Sequence, residues 1–243
     1  MRPIKFLAIS ASPRRNGNTA YLMGRALESL QTSLFDVDIK TYTFSGKRFF
    51  PCCGCLKCYN NGGECIFKDD FAELRQLWLD ADCILYASPV YHAGIPGQLK
   101  TFIDRLGNSL FGYYPVSCMR HMKIIGLISQ GGDFPGGQEL CAIDIMRHAA
   151  LSDCLYIAPD GSYFCSSAWA DGPNGIELAA KSTRKTPDIE ISIKTAQSTV
   201  KRMIEMAAIV LAGAQMLEPK LKSDKYYTSL YTRIATNINN TER

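Results

Sequence analysis

Ile4-Lys5-Phe6-Leu7-Ala8-Ile9-Ser10 is a short, nearly continuous apolar run that stops at Ser-Ala-Ser-Pro. Between Thr19 and Leu30 the apolar positions Leu22, Met23, Ala26, Leu27 and Leu30 share one helical face, so the chain begins strand, loop, helix. The alternation continues. Val37 to Tyr42 fits a second strand, and Phe71, Leu74, Leu77 and Trp78 repeat at helical spacing behind Asp69-Asp70, acidic residues that suit a helix start. Cys83–Ala87 and Lys123–Ser129 read as buried strands, Gln98–Leu106 and Glu139–Ala150 as helices, and Cys154–Ala158 as a final strand. Strands apolar throughout and separated by amphipathic helices imply a parallel sheet covered on both faces, with right-handed crossovers and ligands at the carboxyl ends of the strands. Residues 160–188, rich in Gly, Ser, Asp and Pro, read as a long loop. A long helix follows on Ile189, Ile193, Ala196, Val200, Ile204, Ala207 and Leu211, and Pro219 marks its end. The expected organisation is one domain over 1–217 and a C-terminal helical extension over 218–243, whose Tyr226, Tyr227, Leu230, Tyr231 and Ile234 could form an oligomer arm.

Composition narrows the class without changing the fold. With 243 residues, 47% apolar and 21% charged, the chain has the makings of an ordinary globular core. The opening apolar run is too short for a signal peptide, and no segment approaches the roughly 18 uninterrupted apolar residues of a membrane span. A cytoplasmic protein with ten reduced or ligating cysteines is therefore expected rather than a disulfide framework. The net charge of +4 comes from the tail: from Lys181 onward there are 11 basic and 6 acidic residues, against 16 and 17 before it. These charges are scattered, which fits a solvated helix face or a subunit contact and not a nucleic-acid or membrane partner.

Three loops carry candidate chemistry at the strand ends. Ser10-Ala11-Ser12-Pro13-Arg14-Arg15-Asn16-Gly17-Asn18-Thr19 joins the first strand to the first helix, where backbone amides and the helix N-terminus attract an anion. Ser10, Ser12, Asn18 and Thr19 add neutral donors. No Gly-Lys-Ser/Thr and no Gly-x-Gly-x-x-Gly is present, so the expected guest carries a single phosphate. An Asn-Gly turn with an N-cap at Asn18 would produce the same residues without a ligand. Ser88-Pro89-Val90-Tyr91-His92-Ala93-Gly94 follows the third strand and offers a flat aromatic beside a rigid Pro, suited to a planar ring, although Tyr91 and His92 could equally be surface aromatics. Gly131-Gly132 ends the next strand and permits close backbone approach.

A separate feature is the run Cys52-Cys53-Gly54-Cys55-Leu56-Lys57-Cys58, closed by Cys65. Zinc sites usually pair two knuckles across a long loop, whereas three thiols at two-residue gaps suit an iron-sulfur cluster. Cys52, Cys55, Cys58 and Cys65 are the candidate ligands, with Cys53 as a spare thiol. The alternative is a Gly-rich loop of unligated, semi-buried thiols.

Taken together, Ser12-Pro13-Arg14 through Gly17-Asn18-Thr19, Ser88-Pro89-Val90-Tyr91 and Gln98-Leu99-Lys100-Thr101-Phe102-Ile103-Asp104-Arg105 resemble the NADPH-dependent FMN reductase family. The cysteine segment, with Gly63-Glu64-Cys65 and Asp69-Asp70 behind it, is similar to the iron-sulfur flavoprotein branch. The resemblance implies an α/β, flavodoxin-like, doubly wound five-stranded parallel sheet of order 2-1-3-4-5 with FMN at the switch point. It implies that Ser10, Ser12, Arg14, Asn18 and Thr19 hold the phosphate and ribityl chain, and that Pro89, Val90, Tyr91 and His92 border the ring with Gly131 and Gly132 opposite. Tyr91 and His92 are the candidates for proton supply. The implied function is an FMN-dependent oxidoreductase that passes electrons between a 4Fe-4S cluster and FMN, with a small-molecule or ferredoxin-like partner and a homodimeric or homotetrameric assembly. The rivals are a cluster-free NAD(P)H-dependent FMN or quinone reductase, using NADPH or NADH as co-substrate, and a non-catalytic flavin carrier.

Overall fold

The structure, a computed structural model, describes the backbone of residues 2–113, 121–170 and 175–239, with side chains up to 234. Its strands are β1 (Ile4–Ser10), β2 (Val37–Thr43), β3 (Cys83–Pro89), β4 (Ile124–Gly131), β5 (Leu155–Ile157) and β6 (Ser166–Trp169). Its helices are α1 (Asn18–Leu27), α2 (Phe71–Asp80), α3 (Gly97–Tyr113), α4 (Gln138–Leu151), α5 (Glu177–Thr183), α6 (Pro187–Met216), α7 (Glu218–Ser223) and α8 (Thr228–Asn239). All strand pairs are parallel, as the strand and helix alternation implies, and the order β2-β1-β3-β4-β5 is the one the family resemblance implies.

Alternate residues of each strand face opposite layers, so each strand feeds two cores. Ile4, Phe6 and Ala8 of β1 and Cys83, Leu85 and Ala87 of β3 pack with α1 and α6 on one face. Leu7, Ile9, Ile84 and Tyr86 pack with α2, α3 and α4 on the other. Helix α6 completes the first layer with Ile189, Val200, Met203, Ile204 and Leu211 buried. The tail then folds back on its own chain, where Leu221, Leu230 and Ile234 join that same core.

The fifth sheet position departs from the expected single strand. Leu155–Ile157 pairs with the first half of β4, and Ser166–Trp169 pairs with the second half, on either side of a short excursion. The segment 160–188, expected to be loop, therefore contains β6 and α5. Ser-Ser-Ala-Trp has no apolar run to announce a strand. It is buried because its polar groups find partners on α6: Ser166 Oγ donates to Ser192 O at 3.1 Å, and Ser192 Oγ donates to Ser167 O at 2.8 Å.

At the amino edge of the sheet, Asp82 lies just before β3 and is 2% exposed. Arg2 donates to both of its carboxylate oxygens, at 2.6 and 2.8 Å, Arg233 of α8 donates to Oδ1, and the Lys5 amide donates to Oδ2 at 2.9 Å. Burial alone would raise the Asp82 pKa, but the hydrogen bonds from Arg2 and the charge of Arg233 outweigh it and hold the carboxyl below its ordinary value. A carboxyl depressed on folding stabilises the native state above its unfolded value, and that contribution is lost as pH falls through the folded one. Asp82→Ala is expected to cost about 3–5 kcal/mol, because it strands two buried guanidinium groups. Urea unfolding at neutral pH measures the loss, and the gap between wild type and variant should narrow as the pH is taken below about 4.

Candidate active site

The carboxyl ends of β1, β3 and β4 open onto a cleft of about 160 Å³. The loop after β1 contributes Ser12, Arg14, Gly17, Asn18 and Thr19, the end of β3 contributes Pro89, Val90 and Tyr91, and the end of β4 contributes Gly131 and Gly132. Most of the residues expected from sequence thus meet in one place. Gly17 is the N-cap of α1 and offers no side chain to the helix terminus. The Ser12 hydroxyl accepts from the Arg14 amide at 3.2 Å, which leaves its own proton to donate elsewhere. Thr19 Oγ1 has no hydrogen-bond partner among the described residues.

Three residues sit differently from expectation. Ser10 does not reach the cleft; it is 1% exposed, and its Oγ is buried without a hydrogen-bond partner at the end of β1. Asn18 is the first residue of α1, and its side chain is engaged across the chain: Nδ2 donates to Glu177 at 3.0 Å and Oδ1 accepts from the Leu178 amide at 2.9 Å. His92 lies outside the cleft wall, exposed in a tight turn closed by Tyr91 N–H to Gly94 O at 2.9 Å, with φ of 48° at His92 and 62° at Ala93. Gln130, next to the expected Gly131, also lines the cleft, and Ala170 and Gly175 join it from outside the expected loops. Glu177 also contributes by bonding both Asn18 and the Gly175 amide, at 3.0 Å each. The only sequence signal for this was an acidic residue opening a short helical stretch at Glu177-Leu178-Ala179-Ala180.

The cysteine segment forms a second site against α3. Cys52, Cys53, Cys55, Cys58 and Cys65 all line one small cavity with Arg105, Asn108 and Ser109. The contact is backbone to backbone. A Cβ at Gly112 would come within 2.0 Å of Cys58 O, and one at Gly63 within 2.4 Å of Ser109 O, so both positions need a residue without a side chain. Asn108 fastens the loop further: Nδ2 donates to Cys52 Sγ at 3.6 Å, and its carbonyl accepts from Cys58 Sγ at 3.5 Å. Arg105 donates to Phe50 O at 3.1 Å and forms a buried two-point pair with Asp69, whose second contact is 3.0 Å. Burial opposes ionisation of Asp69, yet Arg105 and the Phe50 amide outweigh it and keep the carboxyl below its usual range. Among the thiols, hydrogen bonding from the Lys57 backbone lowers the Cys55 pKa, while burial raises that of Cys58.

Among the described residues no group of three or more His, Cys, Asp or Glu has the geometry to hold a single metal ion. A single ion needs every thiolate within about 2.3 Å of one centre. A multi-iron cluster binds each thiolate at a separate corner iron and requires only convergence, so an all-cysteine set around a common cavity fits a cluster by its donor chemistry.

Residues 4–157 match the family model described as NADPH-dependent FMN reductase. The chain is 33% identical over 186 residues to an iron-sulfur flavoprotein of Archaeoglobus fulgidus, covering 74% of this chain and 92% of that one. It is 27% identical to an iron-sulfur flavoprotein of Methanocaldococcus jannaschii, covering 85% and 99%. It belongs to the NADPH-dependent FMN reductase family, in the iron-sulfur flavoprotein branch. In fold it is similar to RosB, with a TM-score of 0.58, 15% identity, and 99% of this chain and 88% of that one covered. As a member of this family the chain is an FMN-dependent oxidoreductase. No described helix is long and apolar enough to cross a membrane.

The glycine contacts give this flavoprotein's cysteine loop a direct test. Gly112→Ala should push Cys58 off α3, at a cost of about 1–3 kcal/mol in stability. Labelling of the native protein with a thiol reagent should then become faster at Cys58 and Cys65, while the deeply buried Cys83 stays protected.

Proposed function

We propose that this chain passes electrons between FMN at the carboxyl edge of the sheet and a 4Fe-4S cluster held by Cys52, Cys55, Cys58 and Cys65, with Cys53 as a bystander. The convergence of the cysteines of one short segment on a single cavity beside α3, in a chain that also has the cleft, carries this reading. When bound, FMN exchanges a hydride or single electrons and a cluster exchanges single electrons, so together they join two-electron to one-electron chemistry.

The protein's part is to bind and orient. The uncapped start of α1, the spare proton of Ser12, the unspent hydroxyl of Thr19 and the charge of Arg14 suit a phosphate dianion. Asn18 acts at one remove, holding Gly175 to Leu178 beside the loop. Pro89, Val90 and Tyr91 form one wall for a flat ring, and Gly131 with Gly132 lets the ring approach main chain on the other. Tyr91 on that wall and His92 in the adjoining turn are the nearest groups able to move a proton to solvent. The electrons would come from NADPH, NADH or a ferredoxin-like protein, in a homodimer or homotetramer. A cluster-free NAD(P)H-dependent reductase is the second reading, supported by Asn108, which already partners the sulfurs of Cys52 and Cys58 without a metal.

Iron and acid-labile sulfide, assayed on protein purified without oxygen, separate the two. Wild type should carry both together with FMN, and Cys55→Ala should lose iron and sulfide while keeping the flavin. FMN without iron in the wild type would leave the second reading. For the cleft, Thr19→Val should raise the FMN dissociation constant about tenfold, the value of one hydrogen bond to a charged group. Riboflavin, which lacks the phosphate, should bind both proteins alike, and flavin fluorescence titration measures the two ligands side by side.

A further inference from the structure

Between α3 and α4 lies a cavity of about 310 Å³, for which the flavin and the cysteines provide no role. Ile103, Leu110 and Phe111 supply apolar walls, and two buried imidazoles, His121 and His148, line the cavity as well. The charged groups at the rim cancel in pairs, Lys100 with Asp104 and Arg147 with Asp144.

The hydrogen bonds below the floor fix which nitrogen of His148 carries the proton. Trp78 Nε1–H can only donate, so Tyr86 Oη accepts it at 3.1 Å. The Tyr86 hydroxyl is fully buried, and His148 Nε2, 3.1 Å away, is the acceptor that satisfies its own proton. Nε2 is therefore the acceptor nitrogen and Nδ1 bears the hydrogen. His148 is 6% exposed, and among the described residues Nδ1 has no hydrogen-bond partner. Burial lowers the His148 pKa to about 4, which leaves the ring a neutral donor at physiological pH.

We propose that this cavity binds an uncharged planar ring bearing a carbonyl, the chemistry of a quinone, with that carbonyl accepting the Nδ1 hydrogen of His148. Apolar walls favour the ring, a self-cancelling rim gives no advantage to phosphate or carboxylate, and an unspent imidazole N–H selects an acceptor atom. The size lies within the range of small-molecule sites. Asn108 lines both this cavity and the one formed by the cysteines, so the bound ring would rest one side chain away from Cys52.

Menadione is the probe. The chain has two tryptophans: Trp78, whose ring centre lies 6.3 Å from that of His148, and Trp169, which pairs with Gly131 beside the flavin cleft. In the FMN-loaded Trp169→Phe protein, menadione should quench Trp78 fluorescence saturably. Gly107→Leu is the blocking variant: Gly107 lines the cavity, a Cβ there meets no atom within 4 Å, and leucine suits a helix better than glycine. It should weaken menadione by about tenfold or more, the equivalent of about 1.4 kcal/mol, whereas Gly107→Ala should leave binding close to wild type. Absence of saturable quenching, or an unchanged constant in Gly107→Leu, overturns the proposal. The same titration on FMN-free protein keeps the two questions apart, because failure to rebind FMN counts against the flavin cleft and leaves the Trp78 response to be read by itself.

Discussion

Burial of both faces of one parallel sheet is the constraint on which the rest depends. A strand such as Cys83–Pro89, buried along its whole length, must be covered by helices above and below, and each parallel crossover must carry one of those helices. The loops that leave the carboxyl ends are then gathered at one edge, whatever their sequence. Chemistry at that edge costs the core nothing, which explains how Ser12, Tyr91 and Gly132, far apart in the chain, come to share a cleft.

The cysteine segment solves a different problem. It has little core of its own, since Phe50, Leu56, Tyr59 and Ile66 are all substantially exposed. Its order is borrowed from α3, through main-chain contact at Gly63 and Gly112 and through the buried Arg105–Asp69 pair. Ligands presented on a fixed support lose less freedom on binding, which is how a loop can serve as a precise donor set.

Periodicity made the framework readable because the central strands β1, β3 and β4 are apolar runs and the covering helices carry apolar faces, whereas the edge strand β2 is largely polar and exposed. It could not disclose β6, where hydroxyls bonded to α6 replace apolar burial, nor α5, which is too short to show a repeat. The cleft was legible as far as its loops are contiguous. Glu177 escaped because its role depends on Asn18, which lies 159 positions earlier, and no local pattern reports such a pair. His92 points to the converse limit: proximity in sequence to Tyr91 suggested a shared wall, but the left-handed turn at 92 and 93 takes it away. Nothing in the local sequence marks glycines 63 and 112 as contact points; only the packing reveals it.

Asp82 ties together two segments far apart in the chain, Arg2 ahead of β1 and Arg233 of α8. During synthesis the first guanidinium and the carboxylate emerge early, and the second arrives only when α8 has left the ribosome. Until then the amino edge of the sheet holds a half-neutralised charge, and the α6 surface that will receive Leu221 and Leu230 stays wet. Between the emergence of α6 and that of α8 the nascent chain is therefore a nearly finished fold with one open seam, a state in which chaperones and proteases have their best opportunity.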